Sequence, residues 1–341
     1  MMPCMSADSP ATPALTPRHI FEIATAFQRS RALLTAFELD VFTVLNEEWR
    51  TSREVAEAVG ADARATDRLM NALVALGLLE KRDGQFANGP VAVSSLVKGK
   101  PGYMAGIGHT NHLWDTWGSM TEVVRQGRPS ASMGDINDRG TEWLRPFIAA
   151  MHWRARQGAA DLVRLLDLSG VNRLLDVGGG SGAYAMAFVR ARRGVSAVVF
   201  DLPAVVPLTR GYVQEEGLAA QVTVETGDYL KDPLGAGYDL VFMSAVIHSN
   251  SLDENRLLVG KAAQALNPGG RLVVQDFLMN EDRSGPPQAA LFALNMLVCT
   301  QAGDTYTESE VRAWMTDAGF ADITRQDTQA GTNLVIGRKR G

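Results

Sequence analysis

Glycines and polar residues end several short apolar runs in the second half of the chain, where a folded sheet could present them to a ligand. The first run, Leu174-Leu-Asp-Val177, continues directly into Gly178-Gly-Gly-Ser-Gly182. Glycines let the backbone turn sharply and approach a ligand closely, and the helix that follows such a turn offers free N–H groups. Asp176 precedes the turn, and its carboxylate would repel a pyrophosphate but attract an ammonium or a sulfonium. The pattern therefore predicts a turn that receives a positively charged ligand.

Two later runs end on acids that suit other parts of the same ligand. Asp201, in Phe200-Asp-Leu-Pro203, follows the glycines at about the twenty-residue distance at which nucleotide-binding sheets hold ribose hydroxyls. It could instead cap the helix that is predicted to begin near Pro203. Asp228, in Glu225-Thr-Gly-Asp-Tyr229, can accept a hydrogen bond from an adenine amino group, and Tyr229 can cover the ring. The three run ends together predict a cofactor with an adenine, a ribose and a cationic group.

A single histidine ends the fourth run, in Ser244-Ala-Val-Ile-His248. A histidine at this kind of position is often a hydrogen-bonded structural residue, but an imidazole can also take a proton from a reacting group. Asp276 ends the next run, in Val274-Gln-Asp276, and its carboxylate could orient the imidazole and stabilise the charged form. The pair predicts general-base chemistry with His248 as the base.

The runs that carry these residues alternate with helix-length spacers from Val171 onward. The runs are RLLDV, AVVFD, VTVET, DLVFMSAVI, RLVVQDFLM and NLVIG. Both faces of each run are apolar, which is typical of a mostly parallel sheet covered by helices on two sides. Ligands collect at the carboxyl ends of the strands in such sheets, so we expect the residues above to meet at one edge. The predicted fold class is α/β, with a Rossmann-like, doubly wound sheet.

A different pattern precedes the sheet. Thr51-Ser-Arg-Glu54 is a capping-box pattern that predicts a short helix, and Gly60 ends that helix. A second helix is predicted from about Ala63 to Leu79, and Glu80–Phe86 has the composition of a tight hairpin turn before Val91-Ala-Val93. Helix, turn, helix and hairpin together predict a winged helix.

Winged helices are common in DNA-binding regulators, so this class of protein is an alternative. The second predicted helix carries only Arg64 and Arg68 as bases, next to Asp62 and Asp67, and therefore offers little charge to phosphates. The net charge is −5, from 38 acidic and 33 basic residues, so no chain-wide basic field exists for nucleic acid or an anionic membrane. We expect dimerisation or pocket lining instead, with a cofactor-sensing regulator as the distant alternative.

Composition sets the class of protein and its compartment. The 341 residues are 46% hydrophobic and 21% charged, which is typical of a globular protein. The first residues lack the pattern of a signal peptide, and no apolar run is long enough to span a membrane. Only Cys4 and Cys299 occur, which excludes a disulfide framework and favours a reducing compartment. We therefore expect a cytoplasmic protein without a membrane partner.

Six stretches, in this order, resemble the two-domain O-methyltransferase family of plant caffeate-type and bacterial natural-product enzymes. They are LLDVGGGSG, VVFDLP, GDYL, DLVFMSAVIH, LNPGGRLVVQDF and TESEVRAWMTDAGF. The resemblance implies a class I methyltransferase that moves a methyl group from S-adenosylmethionine (SAM) to a small molecule. A hydroxyl acceptor is favoured, and transfer to sulfur, nitrogen or carbon is the alternative. It also implies a homodimer whose N-terminal domain helps to close the neighbouring active site.

The resemblance divides the chain into four segments and implies which residues form the site. The segments are a disordered leader (1–17), a winged-helix dimerisation domain (18–100), a helical linker and substrate-pocket segment (101–158) and a SAM-binding methyltransferase domain (159–341). The predicted cofactor-binding residues are Asp176, Gly178, Gly180, Asp201, Leu202, Gly227, Asp228, Tyr229 and Ser244. The predicted substrate-binding residues are Trp117, Phe147, Met151, Arg154, Asn295 and Met296. His248 matches the family's base, and no metal site is predicted because no confirming third ligand accompanies the histidines.

The chain departs from the family pattern around the predicted base. Thr305 occupies the position at which plant-type relatives have a second acid beside the histidine, and Asp304 is adjacent to it. The sequence that follows His248 is one residue longer than the usual H-D-W-x-D-E pattern. Five polar residues in the pocket segment would make a polar lining if they face inward; they are His109, His112, Asp115, His152 and Arg154. These departures leave the acceptor atom open, because a thiol of pKa about 8.5 would need less help from a base than a phenol.

Overall fold

The computed structural model describes residues 15–129, 140–329 and 331–341. Cys4 and nearly all of the predicted disordered leader lie outside the described residues. The chain forms two compact units that divide after Tyr103. Among the described helices, none combines the length and the apolar character needed to cross a membrane. The finer division predicted at residue 158 remains a prediction.

The first unit has the elements of a winged helix. They are α1 Pro17–Thr25, α2 Phe27–Glu38, α3 Val41–Leu45, β1 Arg50–Thr51, α4 Ser52–Val59, α5 Ala63–Ala75, β2 Leu79–Arg82, β3 Gln85–Asn88 and α6 Pro90–Leu96. β3 lies between β1 and β2 and runs antiparallel to both. The predicted capping box is present, because Thr51 Oγ1 accepts the Glu54 N–H at 3.3 Å and the Glu54 carboxylate accepts the Thr51 N–H at 2.7 Å.

Three details of the predicted winged helix differ from the structure. α5 ends at Ala75 because the chain turns at Gly77, where φ is 76°, and Leu79 already belongs to β2. The hairpin turn is confined to Asp83-Gly84, both with positive φ, so the strands lie mostly inside the segment predicted as a turn. Val91–Val93 is helical, since Pro90 occupies the first turn of α6, where its fixed φ favours a helix.

The second unit contains three helices followed by alternating strands and helices. They are α7 Ile107–Gly118, α8 Met120–Gln126, α9 Thr141–Arg164, β4 Arg173–Val177, α10 Ala183–Ala191, β5 Ser196–Asp201, α11 Val206–Glu215, β6 Val222–Thr226, β7 Tyr238–Ser244, a 3-10 turn at Ile247–Ser249, α12 Leu252–Ala265, β8 Leu266–Asp276, β9 Leu278–Met279, α13 Pro287–Cys299, β10 Tyr306–Thr307, α14 Glu308–Asp317, β11 Phe320–Asp327 and β12 Asn333–Lys339. The predicted doubly wound α/β fold is therefore confirmed.

The main sheet has seven strands in the order β11-β12-β8-β7-β4-β5-β6. Strands β4 to β8 pair in parallel, and β12 runs antiparallel to both of its neighbours. All six predicted runs contribute a strand to this sheet, but the last residues of the fifth run, Leu278-Met279, form β9, which pairs with β10 in a separate two-stranded sheet. β11 was not predicted, because it is an edge strand whose second half, Thr324–Asp327, is polar and lacks the apolar run that marks the others.

Alternating side chains of the strands fill two apolar clusters, one on each face of the sheet. Leu175 and Val241 belong to one cluster, whereas Leu174 and Leu240 belong to the other. Successive residues of a strand point to opposite faces, so this division shows that both faces are covered. The carboxyl ends of β4 to β8 are consequently left at one edge, where polar side chains can reach a ligand.

Candidate active site

The glycine turn joins β4 to α10 and borders open space. Gly178 and Gly180 have φ of 63° and 58°, a region that residues with a side chain rarely adopt. A Cβ at Gly178 would lie 2.9 Å from Val246 Cγ2 and 3.7 Å from Tyr229 Cε1. A Cβ at Gly180 would meet no atom of the described residues within 4 Å. The turn thus gives a ligand close access to its backbone at Gly180.

Asp176 lies beneath this turn. Its side chain is fully buried, and a Cβ added to Gly179 would lie only 2.7 Å from its Cγ. Oδ2 accepts the Ala185 N–H at 3.2 Å, while Oδ1 is buried without a hydrogen-bond partner among the described residues. Burial, reinforced by the nearby charge of Asp201, raises the pKa of this carboxyl to about 7. Asp176 is therefore a buried acid beneath the turn that changes its charge near neutral pH.

Asp201, at the end of β5, holds the glycine turn directly. Its Oδ2 accepts the Gly180 N–H at 2.7 Å and its Oδ1 accepts the Leu202 N–H at 2.7 Å. Burial raises the pKa of the Asp201 carboxyl to about 6, against the effect of these two hydrogen bonds. The following helix α11 begins at Val206 and has no side-chain cap, so Asp201 is not a helix cap.

The third strand end approaches the turn from β6. The Tyr229 hydroxyl donates to Asn250 Oδ1 at 3.0 Å, and its ring faces Gly178. Asp228 pairs with Lys231 Nζ at 2.8 Å; burial acts to raise its pKa, but the Lys231 contact and backbone N–H groups outweigh burial and lower it. Gly227 has a packing role, since a Cβ there would lie 2.3 Å from the Phe200 ring.

Ser244, at the end of β7, is tied to the next strand. Its Oγ donates to Gln275 Oε1 at 2.7 Å, and Gln275 Nε2 donates to Thr332 Oγ1 at 3.0 Å. Gln275 was not predicted as a site residue, because its partners Ser244 and Thr332 are distant from it in sequence. The structure thus places Ser244 at the expected edge, in a hydrogen-bond chain across β7 and β8.

His248 and Asp276 form a buried pair. His248 Nδ1 lies 2.9 Å from Asp276 Oδ1 and 3.0 Å from Oδ2, and Oδ1 also accepts the Phe277 N–H at 2.9 Å. The Phe292 ring packs edge-on against the imidazole, with ring centroids 4.8 Å apart. A carboxylate at Nδ1 holds the ring proton there and leaves Nε2 as the acceptor. Within the described residues Nε2 makes no hydrogen bond, which is the arrangement that a general base requires.

The two residues at the position of the family's second acid do not contact the imidazole. Thr305 Oγ1 donates to the Ala289 carbonyl at 3.2 Å. Asp304 forms an ion pair with Arg283 at 3.1 Å. In the described part of the chain, Asp276 is therefore the acid that pairs with His248.

The sequence after His248, which departs from the family pattern, has a structural explanation. Ser251 caps α12 in a capping box with Glu254. Asn250 is 3% exposed, accepts from Tyr229 and donates to Asn255 Oδ1 at 3.1 Å. Asn250, one of the residues that depart from the family pattern, thus links the loop after His248 to the loop after β6.

The predicted substrate-binding residues separate into groups. Phe147 stacks on Trp143 with ring centroids 5.0 Å apart and meets the edge of His109 at 5.0 Å. Trp117 Nε1 donates to Asn295 Oδ1 at 2.9 Å, which links α7 to α13. The remaining three differ in exposure: Met151 is partly buried, Arg154 is exposed, and Met296 is buried at 6% exposure. Met296 therefore packs in the interior. Phe147 and Trp143 pack in the same apolar cluster as Leu202, the residue after Asp201.

His152, a candidate for the polar lining, contacts the glycine turn. It is 9% exposed, its Nδ1 lies 2.9 Å from Ser181 Oγ in the glycine turn, and its ring stacks on Tyr212 with centroids 4.1 Å apart. Periodicity along α9 could not reveal this contact, because it places a residue on a helix face without naming the neighbour of that face. Asp115 is exposed in the single chain.

Known proteins are similar to this chain in both fold and sequence. Residues 117–321 match the model of the O-methyltransferase domain, and residues 21–98 match that of the O-methyltransferase dimerisation domain. The chain is 33% identical to the 3-hydroxy-5-methyl-1-naphthoate 3-O-methyltransferase of Streptomyces sahachiroi, over 94% of each chain. It is also 33% identical to the tetracenomycin polyketide synthesis 8-O-methyl transferase of Streptomyces glaucescens, over 97% of this chain and 99% of the relative. The solved structure of PigF with SAH, from a Serratia strain, has a TM-score of 0.87 and 26% identity, over 95% of this chain and 100% of that one.

Proposed function

The chain belongs to the O-methyltransferase family and is a SAM-dependent O-methyltransferase, and from that premise we propose that His248 takes the proton from a hydroxyl group of an aromatic small molecule. The observation that carries this proposal is the buried His248–Asp276 pair, with Nδ1 on the carboxylate and Nε2 without a partner among the described residues. His248 follows the end of β7 and Asp276 is the last residue of β8, at the same sheet edge as the glycine turn.

The residues at the glycine turn fit SAM, which supplies a methyl group on a positively charged sulfur. Gly180 borders open space, and Asp176 carries a buried oxygen without a partner in the described chain, which suits a cationic ligand. We assign the ribose hydroxyls to Asp201 and the adenine to Tyr229 with Asp228. Asp228 is already paired with Lys231, so an adenine amino group would share this carboxylate with the ammonium.

Proton removal is the step for which the chain must supply a base. For a free phenol of pKa about 10 and a free imidazole of pKa about 6.5, transfer of the proton before attack is unfavourable by about 3.5 units, or about 4.8 kcal/mol. The Asp276 carboxylate reduces this cost because it stabilises the imidazolium that forms. Proton transfer that is coupled to methyl transfer reduces it further.

Ring surfaces on α7 and α9 support an aromatic acceptor. Trp143 and Phe147 stack on each other, and His109 meets both rings edge-on. Flat aromatic ligands pack well on such offset and edge-on surfaces. The names of two relatives also refer to a naphthoate and to tetracenomycin polyketide synthesis. The proposed acceptor is therefore a hydroxylated aromatic compound.

The proposed partner of the N-terminal unit is a second copy of the chain. The match to the dimerisation domain supports a homodimer. Three apolar residues of α1, Ile20, Phe21 and Ile23, are 60%, 69% and 70% exposed in the single chain. Exposed apolar surface of this kind is typical of an interface. We infer that these residues of α1 are covered in the dimer.

A turnover screen tests the proposed function. The purified protein with SAM should methylate hydroxynaphthoic acids and other phenols, with S-adenosylhomocysteine (SAH) formed in equal amount. Matched aromatic thiols and amines of the same ring size complete the panel, because they separate the acceptor atom from the ring. Mass spectrometry of the product locates the methyl group. Methylation of the thiols or amines without methylation of any phenol would contradict a hydroxyl acceptor.

Cofactor affinity should depend on pH, because the two acids at the glycine turn titrate near neutrality. Burial raises the pKa of Asp201 to about 6 and that of Asp176 to about 7. Only the ionised carboxylates attract the ammonium group that SAH retains and accept fully from its ribose hydroxyls, so the affinity for SAH should fall as the pH is lowered from about 8 to about 5. Calorimetric titration with SAH across this range measures the effect.

The same two aspartates should affect the stability of the ligand-free protein in the opposite direction to the affinity for SAH as the pH changes. An aspartate with a raised pKa keeps its proton in the folded state where the unfolded chain has lost it. The contribution of these two aspartates to the free energy of unfolding should therefore fall as the pH rises from about 4 to about 7. His152, whose pKa is lowered to about 4, acts in the opposite direction over this range, so the difference between wild type and Asp201→Asn isolates the part due to Asp201. Asp201→Asn serves as the control, since it should remove the part of the SAH titration that occurs near pH 6. A dissociation constant that is unchanged across the range would exclude a role for these carboxylates in binding.

A further inference from the structure

His152 connects helix α9 to the glycine turn. Its Nδ1 lies 2.9 Å from Ser181 Oγ, and both residues are buried, at 9% and 3% exposure. The imidazole also stacks on Tyr212 with ring centroids 4.1 Å apart and planes within 19°. The hydrogen bond and the stack together hold one orientation of the ring.

The groups around His152 keep it uncharged. Burial first, and then the positive charge of Arg156, lower its pKa to about 4, whereas Glu216 acts in the opposite direction. Glu216 is itself paired with Arg190 at 2.5 Å and with Arg156 at 3.8 Å, which weakens its effect on the imidazole. A neutral imidazole can hold the glycine turn in place without adding positive charge next to the site proposed for the cationic cofactor.

Ser181 lies inside the turn that receives the cofactor. The neighbouring Gly180 is held by Asp201, which accepts its N–H, and by Thr209, whose hydroxyl donates to its carbonyl at 2.5 Å. These two contacts come from β5 and α11. Through His152, α9 holds the side chain of Ser181, so the turn is fixed from a third direction.

We propose that His152 is a positioning residue that holds the glycine turn in its cofactor-receiving shape through Ser181 and so ties cofactor affinity to helix α9. The same helix carries Phe147 and Met151, which are candidates for acceptor contacts. The inference rests on the proposed function, because it takes the glycine turn as the SAM site. It adds a residue whose effect on the cofactor is indirect.

Two substitutions of His152 separate the hydrogen bond from the ring stack. His152→Phe keeps a flat ring against Tyr212 but loses the bond to Ser181, and we expect the SAH dissociation constant to rise about tenfold, the upper scale for one hydrogen bond. His152→Asn loses the stack but can place its amide where Nδ1 lies, so its dissociation constant should stay within about threefold of wild type. In turnover, KM for SAM should rise with His152→Phe while kcat at saturating SAM changes little.

Ser181 provides the matched arm of the experiment. Ser181→Ala should weaken SAH binding to the same extent as His152→Phe, and the double variant should be no weaker than either single variant, because both remove one bond. Gln157→Ala, at an exposed position of the same helix, should bind SAH like wild type. Thermal unfolding of each variant checks folding, and Ser181→Ala carries the test if His152→Phe does not fold.

Three outcomes would overturn the inference. They are wild-type SAH affinity in both His152→Phe and Ser181→Ala, losses that add in the double variant, and a fall in kcat at saturating SAM without a rise in KM. Failure of the wild-type protein to bind SAH is a different result, because it would contradict the proposed function as a whole. The two hypotheses can therefore fail separately.

Discussion

Replacing His248 by alanine should lower turnover of a phenolic acceptor by about 100-fold or more, while SAH binds with near wild-type affinity. The imidazole is the general base in the proposed reaction, and its bond to Asp276 leaves Nε2 as its proton acceptor. The glycine turn is held by Asp201 and Thr209, neither of which contacts His248, so cofactor binding should not depend on the base. Steady-state kinetics with saturating SAM and calorimetry with SAH measure the two effects.

The loss should depend on the acidity of the acceptor. A phenol that carries electron-withdrawing groups is largely ionised before it binds, and it then gains little from a base. His248→Ala should therefore impair a weakly acidic phenol far more than an acidic one of similar size. An equal loss for both acceptors, or turnover close to wild type, would show that His248 does not remove the proton.

Replacing Asp276 by asparagine should lower turnover by about 100-fold with little change in SAH affinity. The amide keeps the shape of the side chain but carries no charge to stabilise an imidazolium. It can also donate to Nδ1, which would move the ring proton to Nε2 and leave the base in the wrong tautomer. Addition of Asp276→Asn to His248→Ala should cause little further loss, because residues that act as one unit are strongly non-additive.

The neighbouring acid Asp304 is the matched control. Its carboxylate pairs with Arg283 and accepts the Thr305 N–H at 2.8 Å, away from the imidazole. Asp304→Asn should therefore leave turnover within about twofold of wild type, on the scale of an exposed ion pair. Equal losses in Asp276→Asn and Asp304→Asn would mean that His248 is not oriented by Asp276 alone.

Local patterns were sufficient to predict most of the fold. The capping box at Thr51 satisfies backbone N–H groups within one turn of helix, so four residues of sequence contain the whole signal. The apolar runs of the sheet are buried on both faces, and this requirement is visible in each run taken singly. Edge strand β11 was not predicted, because an edge strand needs no continuous apolar run.

The candidate site was predictable only in part. Residues that end parallel strands meet at one edge whatever the packing, so the order of the runs sufficed to bring Asp201 and His248 to the same region. The partners of those residues depended on packing. Asp276 faces His248 while Asp304 turns to Arg283, and no local pattern distinguishes these two acids.

The sequence by itself determined the α/β class, the glycine turn, the acids at the strand ends and the family to which the chain belongs. These features depend on residue types at short spacing, which act through local geometry and through the direction of parallel strands. Only the tertiary structure decided that His152 braces Ser181 and that Thr305 bonds to α13. Contacts of this kind join helices and loops that are distant in the chain, and they are settled by how whole elements pack against one another.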